Sequence, residues 1–340
     1  MDERYARQRI LPQIGAEGQR RLGEASVAIV GCGALGSFQA QLLARGGVGR
    51  LRVIDRDFVE RTNLQRQILF TDADAEAATP KAVAAERALR AINPDVEVEG
   101  VVADLHATRA DELLSDADVV CDGTDNFETR YLINDWCVRE SVPWVYGGVL
   151  GVDGLVLPIL PDATPCLRCV FETPPPAGSL PTCESAGVLN SAVAVVAGVQ
   201  TTEIVKILVG AHDRVLRGLF RYHAWEATFA TIATGEPRPG CPVCGEREFG
   251  WLEGRHGSAT ARLCGRDAIQ LLPRQASAPP DLAPIAARLG EDWEVTLNDH
   301  LLRARRDGLT LHLFRDGRAI VDGTTDEAEA RGLVARVVGT

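Results

Sequence analysis

The sequence predicts a doubly wound α/β domain followed by a small α+β appendage. Over roughly the first 150 residues, short β-branched runs alternate with helical patterns, which is typical of a parallel sheet covered by helices on both faces. The first of these runs ends in a glycine-rich turn that leads directly into a helical pattern. After Gly254 the pattern changes to short alternating segments. We therefore expect one domain over residues 1–254 and a second over residues 255–340.

Residue patterns indicate the strands and helices of the first domain. Ser26–Gly31 is short, β-branched and ends in glycine, as buried parallel strands often do. Pro80 suits the first position of a helix, because the N–H that it lacks is not needed there. The predicted strands are 26–31, 51–55, 96–102, 117–122, 144–146 and 218–224. The predicted helices are 33–45, 80–92, 131–140 and 189–208, and the Pro- and Gly-rich residues 172–187 predict a loop.

The appendage is predicted to be a small α+β unit. Its predicted strands are two short ones within 261–272 and three alternating segments at 294–297, 301–305 and 309–314. Its predicted helices are 282–289 and 326–338, with a linker rich in Pro, Ser and Ala at 275–280. We find no chemistry-bearing motif in this part of the sequence.

Composition and charge exclude several classes of function. The chain has 340 residues and a net charge of −11. This charge disfavours a nucleic-acid partner, because phosphate neutralisation needs an excess of Lys and Arg. The longest apolar run, 192–199, is too short to span a bilayer, so no membrane partner is expected. Nine cysteines without a signal peptide favour metal or thiol chemistry in a reducing compartment, and we expect a cytoplasmic protein.

Four cysteines in two CxxC pairs predict a metal site. The pairs are Cys166 with Cys169 and Cys241 with Cys244. Two thiolates at this spacing can bind one ion, and two such pairs complete a tetrahedral Zn²⁺ site. Four sulfur ligands leave no open position for water, so we expect the zinc to be structural. The alternative is two unrelated redox or buried cysteine pairs.

The glycine-rich turn predicts a Rossmann-like nucleotide site. Gly31 permits the tight turn, Gly33 lets a phosphate approach the backbone, and Gly36 allows the helix to pack closely on the strand. The N-terminus of the helix offers free N–H groups to an anion. Asp55, at the end of the second strand, is placed to accept hydrogen bonds from ribose hydroxyls. By itself this pattern favours NAD and an oxidoreductase.

The charged residues farther along favour a triphosphate with Mg²⁺ over NAD. Arg66 and Lys81 are cations that can neutralise the charge on a leaving pyrophosphate. Asp125 follows the fourth predicted strand, where a carboxylate can bind the metal that bridges phosphate oxygens. A dehydrogenase has little need for this set of charges. The alternative is that the cations are ordinary surface charges and that Asp125 is a turn residue.

Taken together, these motifs resemble those of the ThiF/MoeB/HesA family, the bacterial relatives of ubiquitin-activating enzymes. The matching pieces cover most of residues 3–248 and are Arg4-Tyr-Ala-Arg7-Gln, Gly31–Gly36, Asp55-Arg-Asp57, Asn63-Leu-Gln-Arg66-Gln67, Pro80-Lys81, Asp125-Asn126, the four cysteines and Thr182-Cys183. The resemblance implies ATP-dependent adenylation of the C-terminal Gly-Gly carboxylate of a ubiquitin-like sulfur carrier. The activated carrier would then receive sulfur as a thiocarboxylate in a thiamine, molybdopterin or tRNA thiolation pathway.

The resemblance also implies roles for single residues. Those that contact the nucleotide or its metal are Asp55 at the ribose, Asn63, Arg66 and Lys81 at the phosphates, Asp125 at Mg²⁺, and Asn126 beside them. Arg7 matches the arginine that the family donates across a homodimer interface into the neighbouring site. Cys183 matches a cysteine that forms a covalent link to the carrier in some relatives. A cysteine desulfurase or a rhodanese would supply the sulfur.

Other functions stay open at the level of sequence. The glycine turn alone also fits an NAD-dependent oxidoreductase or a non-catalytic nucleotide-binding scaffold. Within the family, a tRNA-bound threonylcarbamoyl group or a peptide C-terminus could be adenylated instead, although the acidic balance and the Cys183 loop favour a sulfur carrier. The appendage could support carrier docking or dimer formation. Three further cysteines are expected to be packing residues, namely Cys32, Cys121 and Cys137. Cys264 is expected to be a buried packing residue as well, with a role in sulfur relay as the alternative.

Overall fold

The structure is a computed structural model, and it describes residues 3–175, 183–256, 260–262, 267–271, 280–289 and 293–338. The chain divides into two compact units, Met1–His256 and Gly257–Thr340. The predicted linker at 275–280 lies outside the described residues except for Pro280, and so does Cys264.

A sheet of eight strands forms the centre of the first unit within the described residues, in the order β3-β2-β1-β4-β5-β6-β7-β8. The strands are β1 Ser26–Val30, β2 Arg50–Asp55, β3 Glu97–Val102, β4 Val119–Asp122, β5 Trp144–Leu150, β6 Asp153–Ile159, β7 Leu219–His223 and β8 Thr228–Ile232. The first five are parallel, and β5 through β8 pair antiparallel. The predicted α/β Rossmann-like sheet is confirmed. It has an antiparallel extension in which β7 matches the strand predicted at 218–224, while β6 and β8 were not predicted.

Helices cover both faces of this sheet. They are α1 Ala6–Arg9, α2 Gly15–Glu24, α3 Ala34–Gly46, α4 Asp72–Glu76, α5 Lys81–Ile92, α6 Ala110–Leu114, α7 Phe127–Glu140, α8 Leu167–Val170, α9 Cys183–Ala186 and α10 Asn190–Leu208. Side chains of a strand alternate between faces, so Val27 and Ile29 pack in one core with α3, α5 and α10. Ala28 and Val30 pack in the opposite core with α6 and α7.

Helix α10 is notable for its length and its apolar composition. By these two criteria it could cross a membrane, although half of its apolar stretch is buried inside the fold. It packs against α3 and against strands β5 and β6. Core helices of water-soluble proteins satisfy the same criteria, so the helix is weak evidence for a membrane span. The 192–199 run is one part of this 19-residue helix.

Several boundaries differ from the predictions for local physical reasons. Helix α7 begins four residues earlier than predicted, because the Asn126 side chain accepts a hydrogen bond from the Thr129 N–H and so caps the helix at Phe127. Pro80 is the N-cap of α5, with ψ of 136°, and Lys81 is the first helical residue. The predicted loop 172–187 contains the single helical turn α9.

The second unit is a six-stranded antiparallel sheet within the described residues, with two helices packed on one face. Its order is β11-β12-β13-β14-β10-β9. The elements are β9 Thr260–Arg262, β10 Ala268–Leu271, α11 Leu282–Leu289, β11 Glu294–Leu297, β12 Leu301–Arg306, β13 Leu309–Phe314, β14 Ala319–Asp322 and α12 Glu327–Val338. Of these, β14 was not predicted. Its central position between β13 and β10 makes it necessary to the sheet.

Candidate nucleotide site and cysteine cluster

The glycine turn after β1 brings three stretches of backbone into contact. Gly31 has φ of +85°, a conformation that side chains rarely adopt. A Cβ at Gly36 would lie 1.9 Å from the Gly31 carbonyl oxygen, and a Cβ at Gly123 would lie 2.2 Å from the same oxygen. Strand β1, helix α3 and the end of β4 can therefore meet only with glycine at these positions. Gly33 differs, because a Cβ there would meet only the Gln67 side chain, at 3.8 Å.

Asp55 is fixed at the end of β2 by two backbone donors. Its Oδ2 accepts a hydrogen bond from the Cys32 N–H at 2.6 Å, and its Oδ1 accepts one from the Asp57 N–H at 2.7 Å. Burial raises the pKa of Asp55, while the ammonium of Lys81 opposes that rise. The carboxylate thus lies directly beside the glycine turn with its orientation set, and each oxygen keeps a second lone pair for a ligand hydroxyl.

Lys81 lies buried among carboxylates at the start of α5. Its Nζ lies 3.3 Å from Oδ2 of Asp57. Its backbone N–H donates to the Asp57 carbonyl oxygen, which joins the start of α5 to the segment that follows β2. Burial acts to lower the pKa of Lys81, but the carboxylates of Asp57, Asp55 and Asp125 outweigh it, and the net shift is upward. Lys81 is therefore a permanent cation at the carboxyl ends of the parallel strands.

Asn63 and Arg66 lie in the turn between β2 and α4. The buried Asn63 side chain accepts a hydrogen bond from the Glu60 N–H at 3.1 Å and so fixes this turn. Arg66 is half-buried, and its guanidinium donates to the Thr62 carbonyl oxygen at 2.9 Å. Most of the donors on the Arg66 guanidinium remain available for a ligand, since one of its five N–H groups makes this bond.

The end of β4 presents Asp125 to solvent from a rigid support. Asp122 is fully buried and accepts hydrogen bonds from the N–H and the hydroxyl of Thr124. Arg130 donates to Asp122 and, through a second nitrogen, to the carbonyl oxygens of Thr124 and Gly147. Asp125 itself is exposed and lies next to Asn126. Its carboxylate is therefore accessible to a metal, while the turn that presents it is fixed.

Arg7 lies far from the glycine turn of its own chain. It is exposed on α1, and its neighbour Gln8 donates to the Gly46 carbonyl oxygen at the C-terminal end of α3. The glycine turn lies at the opposite end of the same 13-residue helix, which is about 20 Å long. The structure thus brings together the turn, Asp55 and Lys81, and it leaves Arg7 apart from them.

The four CxxC cysteines converge on one point. Their Sγ atoms all lie within 4.8 Å of one another. The Sγ atoms of Cys166 and Cys241 are 3.6 Å apart, and those of Cys169 and Cys244 are 3.3 Å apart. Ligands of a tetrahedral Zn²⁺ at about 2.3 Å would be separated by about 3.8 Å. The set therefore fits a tetrahedral thiolate site, and pairing across the two motifs rules out the alternative of two unrelated pairs.

The remaining cysteines fall into two groups: three are buried in the cores, and Cys183 lies on α9. Cys32, Cys121 and Cys137 are completely buried in the apolar cores, and burial raises the pKa of each thiol. The burial of these three residues supports the packing role expected for them, because the thiolate is the reactive form of cysteine. Cys183 is the first residue of α9, and its side chain lies outside what the structure describes.

Two residues of the site were missed from the sequence. Arg130 gave no signal, since an arginine inside a predicted helix is usually a surface charge. Gln67 belongs to the motif Asn63-Leu-Gln-Arg66-Gln67 but received no role. Its position directly after Arg66 could have suggested that its amide also faces the glycine turn.

The parallel sheet, the glycine turn and the charged carboxyl-end residues define an α/β nucleotide-binding enzyme. The chain belongs to the ThiF family, whose model matches residues 5–243. It is 40% identical over 342 residues to the sulfur carrier protein ThiS adenylyltransferase of Bacillus subtilis, covering 100% of both chains. It is 44% identical over 249 residues to the sulfur carrier protein adenylyltransferase of Thermus thermophilus, covering 72% of this chain and 91% of the relative. The predicted resemblance is thus confirmed, and the chain is an adenylyltransferase of this family.

A solved structure also has this fold. The crystal structure of Escherichia coli MccB with ATP matches 72% of this chain and 75% of MccB, with a TM-score of 0.63 and 23% identity. At this identity the likeness shows the fold alone. The second unit lies within the alignment to the Bacillus subtilis relative, which spans the whole chain.

Proposed function

We propose that this protein uses ATP to adenylate the C-terminal Gly-Gly carboxylate of a ubiquitin-like sulfur carrier. The observation that carries the proposal is the buried cation Lys81 among Asp55, Asp57 and Asp125 beside the glycine turn. An adenylating enzyme needs this arrangement, because a cation must neutralise the departing pyrophosphate while carboxylates bind its metal. The two named adenylyltransferase relatives act on sulfur carrier proteins, which supports the same class of substrate here.

Each residue of the site has a task in this reaction. Asp55 accepts hydrogen bonds from the ribose hydroxyls and so fixes the nucleoside. Asn63, Arg66 and Lys81 donate to the phosphates. The carrier carboxylate oxygen forms a bond to the α-phosphorus, and the bond from this phosphorus to the bridging oxygen of pyrophosphate breaks. The negative charge that develops on pyrophosphate lies against Lys81 and Arg66, which lowers the barrier.

Two metals complete the proposal. Mg²⁺ bound with ATP would neutralise phosphate charge. The exposed carboxylate of Asp125 suits it, because Mg²⁺ prefers one or two carboxylates and retains several waters. Zn²⁺ fits the four-sulfur cluster, and it would be structural, because it would join α8 to the segment of Cys241 and Cys244 across the first unit.

The proposal also covers the sulfur donor, the role of Cys183 and the oligomeric state. The adenylated carrier receives sulfur from a cysteine desulfurase or a rhodanese and becomes a thiocarboxylate. Cys183 forms a covalent link to the carrier during this second stage. The enzyme is a cytoplasmic homodimer in which Arg7 reaches the partner's site, since α1 is bound at the far end of α3 within its own chain.

Carrier-dependent exchange of labelled pyrophosphate into ATP tests the proposed reaction. The enzyme should catalyse exchange with an intact carrier that ends in Gly-Gly and not with the same carrier lacking these two residues. Asp125→Ala should abolish exchange without loss of stability, since exposed side chains contribute within about 0.5 kcal/mol. Asp213→Ala removes an exposed aspartate elsewhere and serves as the control. Normal exchange by Asp125→Ala would contradict the role of this residue.

A further inference from the structure

Arg238 connects the two CxxC motifs of the cysteine cluster. Its backbone N–H donates to Sγ of Cys169 at 3.5 Å, and its carbonyl oxygen accepts from the Cys241 N–H at 3.0 Å. Through Nη2, its side chain donates to the carbonyl oxygen of Arg168 at 2.9 Å. Arg168 lies inside the first motif, between Cys166 and Cys169. One residue outside both motifs therefore joins them where they meet.

The sequence around Arg238 stiffens its backbone. Pro237 precedes it and Pro239 follows it. Proline fixes its own φ, and a residue before proline is largely restricted to extended conformations. The N–H of Arg238 is thus preorganised toward the sulfur of Cys169, so little chain entropy is lost when a metal orders the cluster.

The guanidinium of Arg238 interacts with the sulfur atoms of the cluster. Burial acts to lower the pKa of Arg238, but Glu172 and the sulfur atoms of Cys169 and Cys241 outweigh burial, and the net shift is upward. Its Nε is buried and has no hydrogen-bond partner within the described part of the chain. A buried donor is destabilising when it is unpaired. An anionic sulfur at the cluster can supply the acceptor that this N–H needs.

The charge of the cluster explains why a cation is needed beside it. Four thiolates around one Zn²⁺ carry a net charge of about −2. Backbone donors offset part of this charge, because Cys241 accepts from the N–H groups of Val243 and Cys244 and Cys169 accepts from that of Arg238. The Arg238 guanidinium adds a full positive charge at the same side of the cluster.

We propose that Arg238 is the counter-ion of the cysteine cluster and that it suppresses the reactivity of the metal-bound sulfur atoms. A cation beside a thiolate lowers its basicity, and the nucleophilicity of sulfur falls with its basicity. The sulfur atoms therefore stay bonded to the metal instead of attacking electrophiles. In the proposed function, on which this last step rests, the enzyme handles two electrophiles, an acyl-adenylate and a persulfide. Arg238 protects the cluster from both and confines thiol chemistry to Cys183.

Glu172 allows the effect of charge to be tested in both directions. It forms an ion pair with Nη1 of Arg238, and its side chain is 68% exposed. The Glu172 carboxylate offsets part of the positive charge of Arg238, although solvent screens the pair. Removing the charge of Glu172 should therefore protect the cluster further, whereas removing that of Arg238 should expose it. A residue that served only packing would not give opposite effects.

Four variants separate the role of charge from a structural role. Arg238→Met keeps the length of the side chain and removes its charge. Arg238→Lys keeps the charge and lacks the fork that reaches the Arg168 carbonyl oxygen. Glu172→Gln removes the charge that offsets Arg238. Arg214→Gln is the control, since Arg214 forms an exposed ion pair with Asp213 in the same unit.

Release of zinc measures the reactivity of the cluster. The full chain, loaded with Zn²⁺, is treated with excess N-ethylmaleimide, and a colorimetric chelator records the metal that is released. At the cluster, a carbon–Sγ bond forms as a zinc–Sγ bond breaks. Alkylation of Cys183 and of the other thiols releases no zinc, so the signal reports the cluster alone. The measurement needs neither ATP nor a carrier.

The expected rates of zinc release follow from the charges. Arg238→Met should release zinc about tenfold faster than wild type, because residues that support metal ligands typically change a site about 10- to 100-fold. Arg238→Lys should stay within about twofold of wild type. Glu172→Gln should release zinc about two- to fivefold more slowly, and Arg214→Gln should match wild type. Salt at about 1 M should reduce these differences, because it screens exposed charges.

Three results would overturn the inference. Equal acceleration in Arg238→Met and Arg238→Lys would make Arg238 a packing residue that acts through its bond to Arg168. Zinc release from Glu172→Gln at or above the wild-type rate would exclude the role of charge. A wild-type chain that binds no zinc would remove the site itself. If pyrophosphate exchange fails with every carrier while the release rates differ as expected, the proposed adenylation fails and the counter-ion role of Arg238 stands.

Discussion

Arg130 and Asp122 form a buried ion pair, in which Nε of the guanidinium lies 3.1 Å from Oδ2 of the carboxylate. The two side chains are 8% and 0% exposed. Arg130 also donates to the Thr124 carbonyl oxygen at 2.7 Å and to the Gly147 carbonyl oxygen at 2.9 Å. The Arg130–Asp122 pair therefore joins the end of β4 to β5. It also fixes the turn after β4, in which Asp125 lies.

Loss of this pair should destabilise the fold strongly. Arg130→Gln leaves the Asp122 carboxylate buried and unpaired, which should cost about 3–5 kcal/mol in the free energy of unfolding. Arg130→Lys keeps the charge but lacks the planar fork that reaches both carbonyl oxygens, so we expect it to be less stable than wild type. Guanidinium denaturation measures the free energy of unfolding of both variants. As a control, Arg109→Gln removes one half of a partly exposed pair with Glu112 and should cost at most about 1 kcal/mol. Equal costs for Arg109→Gln and Arg130→Gln would refute this account of the buried pair.

The cysteine cluster should bind one zinc per chain. Elemental analysis of freshly purified protein should find this stoichiometry, and Cys241→Ser should lose the metal and melt at a lower temperature, since metal-binding free energy contributes to folding. Cys137→Ala is the control, because this buried thiol belongs to the apolar core and not to the cluster. It should keep its zinc even if it melts earlier. Freshly purified wild-type protein free of zinc would contradict the prediction.

Arg7 should act on the neighbouring subunit of a homodimer. Arg7→Ala and Lys81→Ala should each be inactive in pyrophosphate exchange. Mixed in equal amounts, they should recover about one quarter of wild-type activity, because half of the dimers are hybrids and each hybrid has one complete site. Tagged subunits followed by pull-down would show whether the subunits exchange. Proven exchange without recovery of activity would exclude action in trans.

Features that depend on the local residue pattern were predicted from the sequence. Features that depend on contact with residues distant in the chain were missed. Strand β1, the glycine turn and α3 were predicted because the residue types and their spacing within each segment indicate its conformation. The edge strand β8 was missed, because its residues are exposed and its register is set by pairing with β7. Arg130 looks like an ordinary helical arginine, and its role arises only when β4 and β5 come together. Gln67 was passed over because a sequence pattern does not show that its side chain is buried beside Gly33.

The final prediction concerns Cys183 and separates two stages of the chemistry. Adenylation needs the cations, the metal and the carrier carboxylate, but no protein thiol. Cys183→Ala should therefore keep pyrophosphate exchange near the wild-type rate. Sulfur transfer needs a nucleophile at the acyl-adenylate, so this variant should lose the thiol-sensitive carrier adduct on non-reducing gels. It should also form thiocarboxylate more slowly when the sulfur donor is limiting. Cys137→Ala is the matched control, since this buried thiol of the apolar core should contribute to neither measurement. If wild type gives no adduct and Cys183→Ala forms thiocarboxylate at full rate, sulfur passes directly from an external persulfide to the adenylate.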